Sequence, residues 1–97
     1  MRSFHPKLTL LDTLRGRGVL TWAGGRTPAT YEISIFLQRG EPSSTGSVEG
    51  DLKRLAARGG DSPAMLHLAD GRAIAVALSD IEDDGASLKA PGDVRAG

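Results

Sequence analysis

The side chains able to do chemistry are few in this chain. It has two histidines, His5 and His67, and no cysteine. The lack of cysteine removes disulfides, thiol nucleophiles and Cys-ligated zinc. His67 stands in "MLHLADGRAIAVAL", Met65 to Leu78, a single imidazole amid apolar neighbours. No Cys-His zinc spacing is present, and no nucleophile elbow supplies a serine for His67 to serve. Four carboxylates crowd "SDIEDDG": Asp80, Glu82, Asp83 and Asp84. Carboxylates bind hard cations, but the residue order of an EF-hand calcium loop is missing. The segment reads as a solvated acidic turn. No nucleophile, base and orienter stand together, so the chain reads as non-enzymatic, with no metal and no cofactor.

Arginine offers the remaining chemistry. Arg15 and Arg17 lie in "RGRG", Arg26 in "GGR", and Arg54 and Arg58 one helical turn apart in "RLAAR". Guanidinium forks match phosphate oxygens, so these five form a candidate anion-binding set. No complete Gly-rich or Walker phosphate loop accompanies them. The Arg54–Arg58 spacing resembles the R-x-x-x-R element of PilZ-type cyclic-dinucleotide receptors, which are small β-barrels. "SVEG", Ser47 to Gly50, resembles half of that family's second element. The order of the two elements is reversed here, and Thr45 stands where the family has Asp or Asn. The resemblance implies an alternative function, an arginine-based receptor for a nucleotide or other phosphorylated ligand.

The overall charge argues against a strong nucleic-acid binder. Formal net charge is zero, with 12 basic and 12 acidic residues. Residues 1–58 hold nine basic and five acidic side chains, and residues 59–97 hold three and seven. Such halves neutralise one another across a compact fold, whereas a nucleic-acid binder shows a net basic domain. No segment approaches the roughly 20 apolar residues that span a bilayer, and the N-terminus lacks the pattern of a signal peptide. Arginine outnumbers lysine, and glycine and alanine are abundant, which points to a bacterial-type, cytoplasmic setting.

The elements that must position these residues are mostly strands. Glycines and prolines punctuate apolar segments at short intervals, as in β-rich domains. In "ATYEISIFL", Tyr31, Ile33, Ile35 and Leu37 alternate with Thr30, Glu32, Ser34 and Phe36, so the first set is the core face. Phe36 breaks the polar face and belongs under a loop or at an edge. "GVLTWA" reads as the preceding strand, and "GGRTP", Gly24 to Pro28, as a five-residue hairpin loop. Trp22 and Tyr31 are assigned to core or rim packing. "QRGEPSS" reads as a loop, and "TGSVEG" as a short strand whose glycines mark a bulge or a close backbone approach. "DLKRLAAR", Asp51 to Arg58, has helical spacing with Asp51 as N-cap, or it continues the strand. "LTLLDTL" fits either a strand or a short helix plugging one barrel end, leaving 7–15 open. "GGDSP" reads as loop, "ASLKA" as a last strand, and 91–97 as a frayed, mobile tail.

The hairpin Met65–Leu78 admits two registers. A two-residue loop, Asp70-Gly71, splits the large apolar groups between both faces. A three-residue loop, Ala69-Asp70-Gly71, puts Leu66, Leu68, Ile74, Val76 and Leu78 on one face. Met65, His67, Ala73, Ala75 and Ala77 then share the other. The second register segregates the sizes cleanly and makes Gly71 a left-handed bulge glycine. The smooth alanine face is the candidate interface, to be covered by a helix or loop of the same chain, "DLKRLAAR" first, or by a second copy or partner, with a small-molecule pocket as the remaining reading. The expectation is one all-β domain over 1–97, a small antiparallel β-barrel or strongly bent sheet of about six strands with one short helix. Its expected role is a small binding or assembly module acting through protein–protein contacts, with a homo-oligomer as one form.

Overall fold

The computed structural model describes residues 8–59 and 62–96. Six strands are present: β1 Leu8–Trp22, β2 Gly25–Gln38, β3 Glu41–Gly50, β4 Ser62–His67, β5 Ala73–Ser79 and β6 Gly85–Pro91. One helix, α1 Lys53–Ala56, lies between β3 and β4, and a 3-10 turn, Val94–Ala96, follows β6. The strands form a closed antiparallel barrel in the order β1-β2-β3-β6-β5-β4. The all-β expectation holds, and the barrel is the form realised. The open segment at the N-terminal end is strand from Leu8 onward, while His5, Gly60 and Asp61 lie outside the described residues. No helix among the described residues is long and apolar enough to cross a membrane.

Strand alternation builds the core as the pattern required. Tyr31, Ile33 and Ile35 are buried, Leu37 is half-buried, and their neighbours Thr30 and Glu32 are exposed. Trp22 is half-buried against the same core. Phe36 is half-buried, between Leu10 of β1 and Ser43 of β3. Gly46 carries the close approach expected of "TGSVEG": a Cβ there would overlap the Glu32 carbonyl.

Two connections are tighter than their composition implied. Trp22 pairs with Gly25, so the loop is Ala23-Gly24 rather than Gly24 to Pro28. Gly24 takes φ +102°, open to glycine at little cost, and this lets the chain reverse in two residues. Likewise Gln38 pairs with Glu41 where "QRGEPSS" was expected to be loop. Arg39 and Gly40 both have positive φ, 53° and 79°, as a type I′ hairpin turn requires. β3 therefore starts at Glu41, and its exposed Ser43, Thr45 and Ser47 are a solvated strand face rather than a loop. Serines and a proline signal loop only when the periodicity of the buried face is too weak to be seen.

The hairpin of β4 and β5 has the three-residue register. Leu66 pairs with Ile74 and His67 with Ala73. The Leu68 N–H bonds to the Arg72 carbonyl at 2.7 Å and the Gly71 N–H to the Leu68 carbonyl at 3.0 Å. Gly71 sits at φ +93°. Leu66, Leu68, Val76 and Leu78 are buried and Ile74 packs half-buried against them.

Both mouths of the barrel are plugged. At one, Leu52 and Leu55 are buried beneath the short α1. The expected helix over Asp51–Arg58 shrinks to Lys53–Ala56, with Leu52 rather than Asp51 at the N-cap position. Asp51 still accepts the Lys53 N–H, at 3.3 Å. A helix this short is unstable alone, and burying each leucine contributes about 2 kcal/mol toward holding it. At the other mouth, the residues read as tail form the turn whose Val94 is buried. The β5–β6 ladder ends at Ala77–Lys89. Continuing that register sets Pro91 opposite Ala75, and proline has no N–H to donate.

β1 and β4 close the barrel through only three pairs, Val19–His67, Leu20–Leu66 and Thr21–Met65. Gly18, just beyond, passes so near that a Cβ would overlap the His67 carbonyl. Gly16 makes room for the Tyr31 ring, whose hydroxyl would stand 2.7 Å from an added Cβ. The glycines of "RGRG" therefore serve packing. Gly71→Ala is expected to destabilise by about 1 kcal/mol through backbone strain alone, since nothing lies within 4 Å of its Cβ position. Gly18→Ala is expected to cost more, because it pushes β4 away from β1. Denaturant midpoints in the opposite order would contradict the closing register.

Candidate functional site

The buried leucines of β4 and β5 force the alternate residues outward. Met65, His67, Ala73, Ala75 and Ala77 are all exposed. The register extends their surface onto β1 and β2. One cross-strand row runs Ala73, His67, Val19, Pro28, and the next Ala75, Met65, Thr21, Arg26. The Thr21 hydroxyl stands 3.3 Å from His67 Nε2 and 3.5 Å from the Met65 carbonyl, which tethers the imidazole to the wall. α1 does not cover this face, contrary to the expectation that "DLKRLAAR" would. Its leucines instead enter the mouth of the barrel. Val19 and Pro28 were missed as members of the surface, because only the β1–β4 and β1–β2 registers bring them to it.

The five arginines do not share one cleft. Arg54 donates to the Gly24 carbonyl at 3.3 Å and Arg58 to the Ala23 carbonyl at 2.6 Å. Both thus bind α1 to the β1–β2 turn. Arg15 pairs with Glu32 at 3.1 Å across the β1–β2 ladder. Arg17 lies opposite Thr30, whose other neighbour is Glu49. Arg26 lies opposite Thr21, four residues along β1 from Arg17. Ser47, the serine of the PilZ-like "SVEG", sits between Glu32 and Ser87 on the barrel wall. Carboxylates therefore intersperse the cations along the wall, and Arg54 and Arg58 are occupied by main-chain oxygens.

Other charged side chains fasten the second mouth, and sequence reasoning missed them. Asp70, in the β4–β5 turn, accepts the Arg72 N–H at 3.0 Å and the Arg72 Nε–H at 2.8 Å. Arg72 so held donates onward to the Val94 carbonyl. Ser44 donates to the Gly92 carbonyl at 2.8 Å. Arg95 binds Asp93 at 2.7 Å and stands 3.8 Å from Asp12 of β1. The Arg72 N–H, then its side chain, hold the Asp70 carboxyl below the usual aspartate value. The Arg95 side chain, then its N–H, do the same for Asp93. The i, i+2 spacings D-x-R at 70–72 and 93–95 were the available signal.

The acidic connection works through its main chain. The Asp83 carbonyl accepts the Leu52 N–H at 2.8 Å and the Asp84 carbonyl accepts the Gly50 N–H at 3.1 Å. Among the described residues no group of three His, Asp or Glu side chains is placed to hold a metal ion. No family model matches the chain, and neither does any curated protein or solved structure.

Arg58→Ala is expected to lower stability by about 1 kcal/mol, the worth of one such hydrogen bond. A thermal melt unchanged by that substitution would show that the α1 tie carries no energy. Depressed aspartate values contribute stability at neutral pH that is lost as pH falls below about 3.8, through the folded values. The wild-type denaturant midpoint should therefore drop in that acid range more steeply than that of a D70N/D93N double variant.

Proposed function

We propose that this protein is a small non-enzymatic binding or assembly module that works through protein–protein contacts. The observation that carries the reading is the uncovered face of β4 and β5. Its exposed side chains, Met65, His67, Ala73, Ala75 and Ala77, include no carboxylate, lysine or arginine. Small side chains on a flat wall let another protein surface approach closely at little side-chain entropy cost. Across β5, β4 and β1 the patch measures roughly 250 Å² from ordinary strand spacings. A stable interface takes about 800 Å² from each partner. The contact is accordingly a transient one, or a partner reaches beyond the patch to Arg17 and Arg26. The composition favours a bacterial-type cytoplasmic setting.

Ala75→Arg tests the reading, because it plants a bulky cation at the centre of the face without touching the core. Wild-type and A75R proteins are used as paired baits under identical conditions. A protein retained by the wild type and lost by A75R is the expected result. Identical capture by both baits, with an unchanged fold by circular dichroism, would remove this face from consideration.

A further inference from the structure

β4 accompanies β1 over Val19–Thr21 only, and then turns at Leu68. Ten residues of β1, Leu8–Arg17, run on with β2 as their sole ladder partner among the described residues. Hydrogen-bond parity identifies the main-chain groups left over. Leu68 bonds to Arg72 across the β4–β5 hairpin, so Leu66 does the same with Ile74, and Met65 and His67 turn their groups toward β1. Their partners Val19 and Thr21 face β4, so Arg17, Arg15 and Thr13 present N–H and C=O groups on that same side, where no strand lies among the described residues. An edge of this kind is a template for another strand. The same stretch bears the two most exposed large apolar side chains among the described residues, Leu8 at 56% and Leu10 at 55%.

We propose that this edge is the seam of a two-fold symmetric dimer, in which β1 of a second copy adds antiparallel to β1. The charges of the strand choose both the occupant and the register. Its start is uncharged, Leu8 to Leu11, and its end carries Arg15 and Arg17. An antiparallel copy reverses that order. Aligned flush over all ten residues, it sets Leu8 opposite Arg17 and Leu10 opposite Arg15 on the outer face. Each arginine stem then lies along a leucine, with the Arg15 guanidinium still on Glu32 and that of Arg17 reaching water. An in-register parallel copy would stack arginine on arginine, which is destabilising. The irregularity between Leu10 and Asp12 falls next to the two-fold axis, where the two strands are bent alike. A bulge and two arginines repel indiscriminate strands, and flush self-pairing is an alignment that meets neither obstacle. The seam is separate from the alanine face, since Leu8–Arg17 lies beyond the last β1–β4 pair, Val19–His67.

The test reads the oligomeric state of the full chain by sedimentation equilibrium at micromolar to millimolar concentration. The wild type is expected to dimerise. Leu10→Lys, at a position already exposed, sets a lysine opposite Arg15 twice per dimer and should weaken association by about tenfold or more. Leu10→Glu sets an acid there instead and should leave association unchanged or tighter. Because the chain has no cysteine, single-cysteine variants report cleanly on register. A mixture of L10C and R15C should oxidise to the cross-linked heterodimer in preference to either homodimer. A wild type that stays monomeric at millimolar concentration overturns the proposal, as does an equal effect of Lys and Glu at position 10. A dimer broken by A75R but not by L10K also overturns it, and transfers self-association to the alanine face.

Discussion

The architecture depends on a short closure. β1 must pair with β2 along its whole length and also take β4 on its other side over three residues. Leu20 is at the middle of that closure and is fully buried. Gly18 lets the two backbones approach where any side chain would hold them apart. Without this contact the sheet would remain open, and the hydrophobic face shared by β2, β3 and β6 would be uncovered. Closure pairs β1 and β4, which would otherwise be the two edges of an open sheet, and this is the usual gain of a barrel. Among the described residues the N-terminal stretch of β1 has β2 as its one ladder partner, because β4 turns away before reaching it.

A closed wall still has two mouths, and the chain seals them with segments too short to fold alone. α1 and the C-terminal turn are held by one device: a few buried apolar side chains plus arginines that donate to main-chain oxygens. Arg54 and Arg58 reach the β1–β2 turn, and Arg72 reaches Val94. Guanidinium groups suit this work because they remain charged and offer several donors in a fixed fork. Residues that by type alone suggest anion recognition thus serve, in three cases, as ties between distant parts of one chain. The acidic connection is similar: its carboxylates face solvent while its carbonyls hold the chain leading into α1.

Legibility in the sequence followed the strength of the size pattern. The Met65–Leu78 register could be read because one alignment separates leucines and β-branched residues from alanines and the other mixes them. β2 was readable for the same reason. The turns were not. Gly24-Gly25-Arg26-Thr27-Pro28 and Gln38 to Ser44 look like loops, because polar composition describes a solvated strand face as well as it describes a turn. The helix was read too long because Asp51, Leu52 and Leu55 carry the spacing of a helix, whereas the barrel mouth holds only a single turn. That Met65, His67, Ala73, Ala75 and Ala77 share one exposed face could be read from the alternation, yet the neighbours that β1 and β2 add to it could not, because only the register brings them there.

The local chain decided strand type, face and the left-handed glycines, because these rest on alternation and backbone sterics within a few residues. Tertiary structure decided barrel closure, the fates of the arginines and the open edge of β1. Each of those depends on pairs separated by tens of residues, such as Leu20 with Leu66 or Arg72 with Val94. Whether a given arginine meets water, a carboxylate or a carbonyl oxygen is set by the segment that the fold brings beside it, and its own neighbours in the chain carry no record of that.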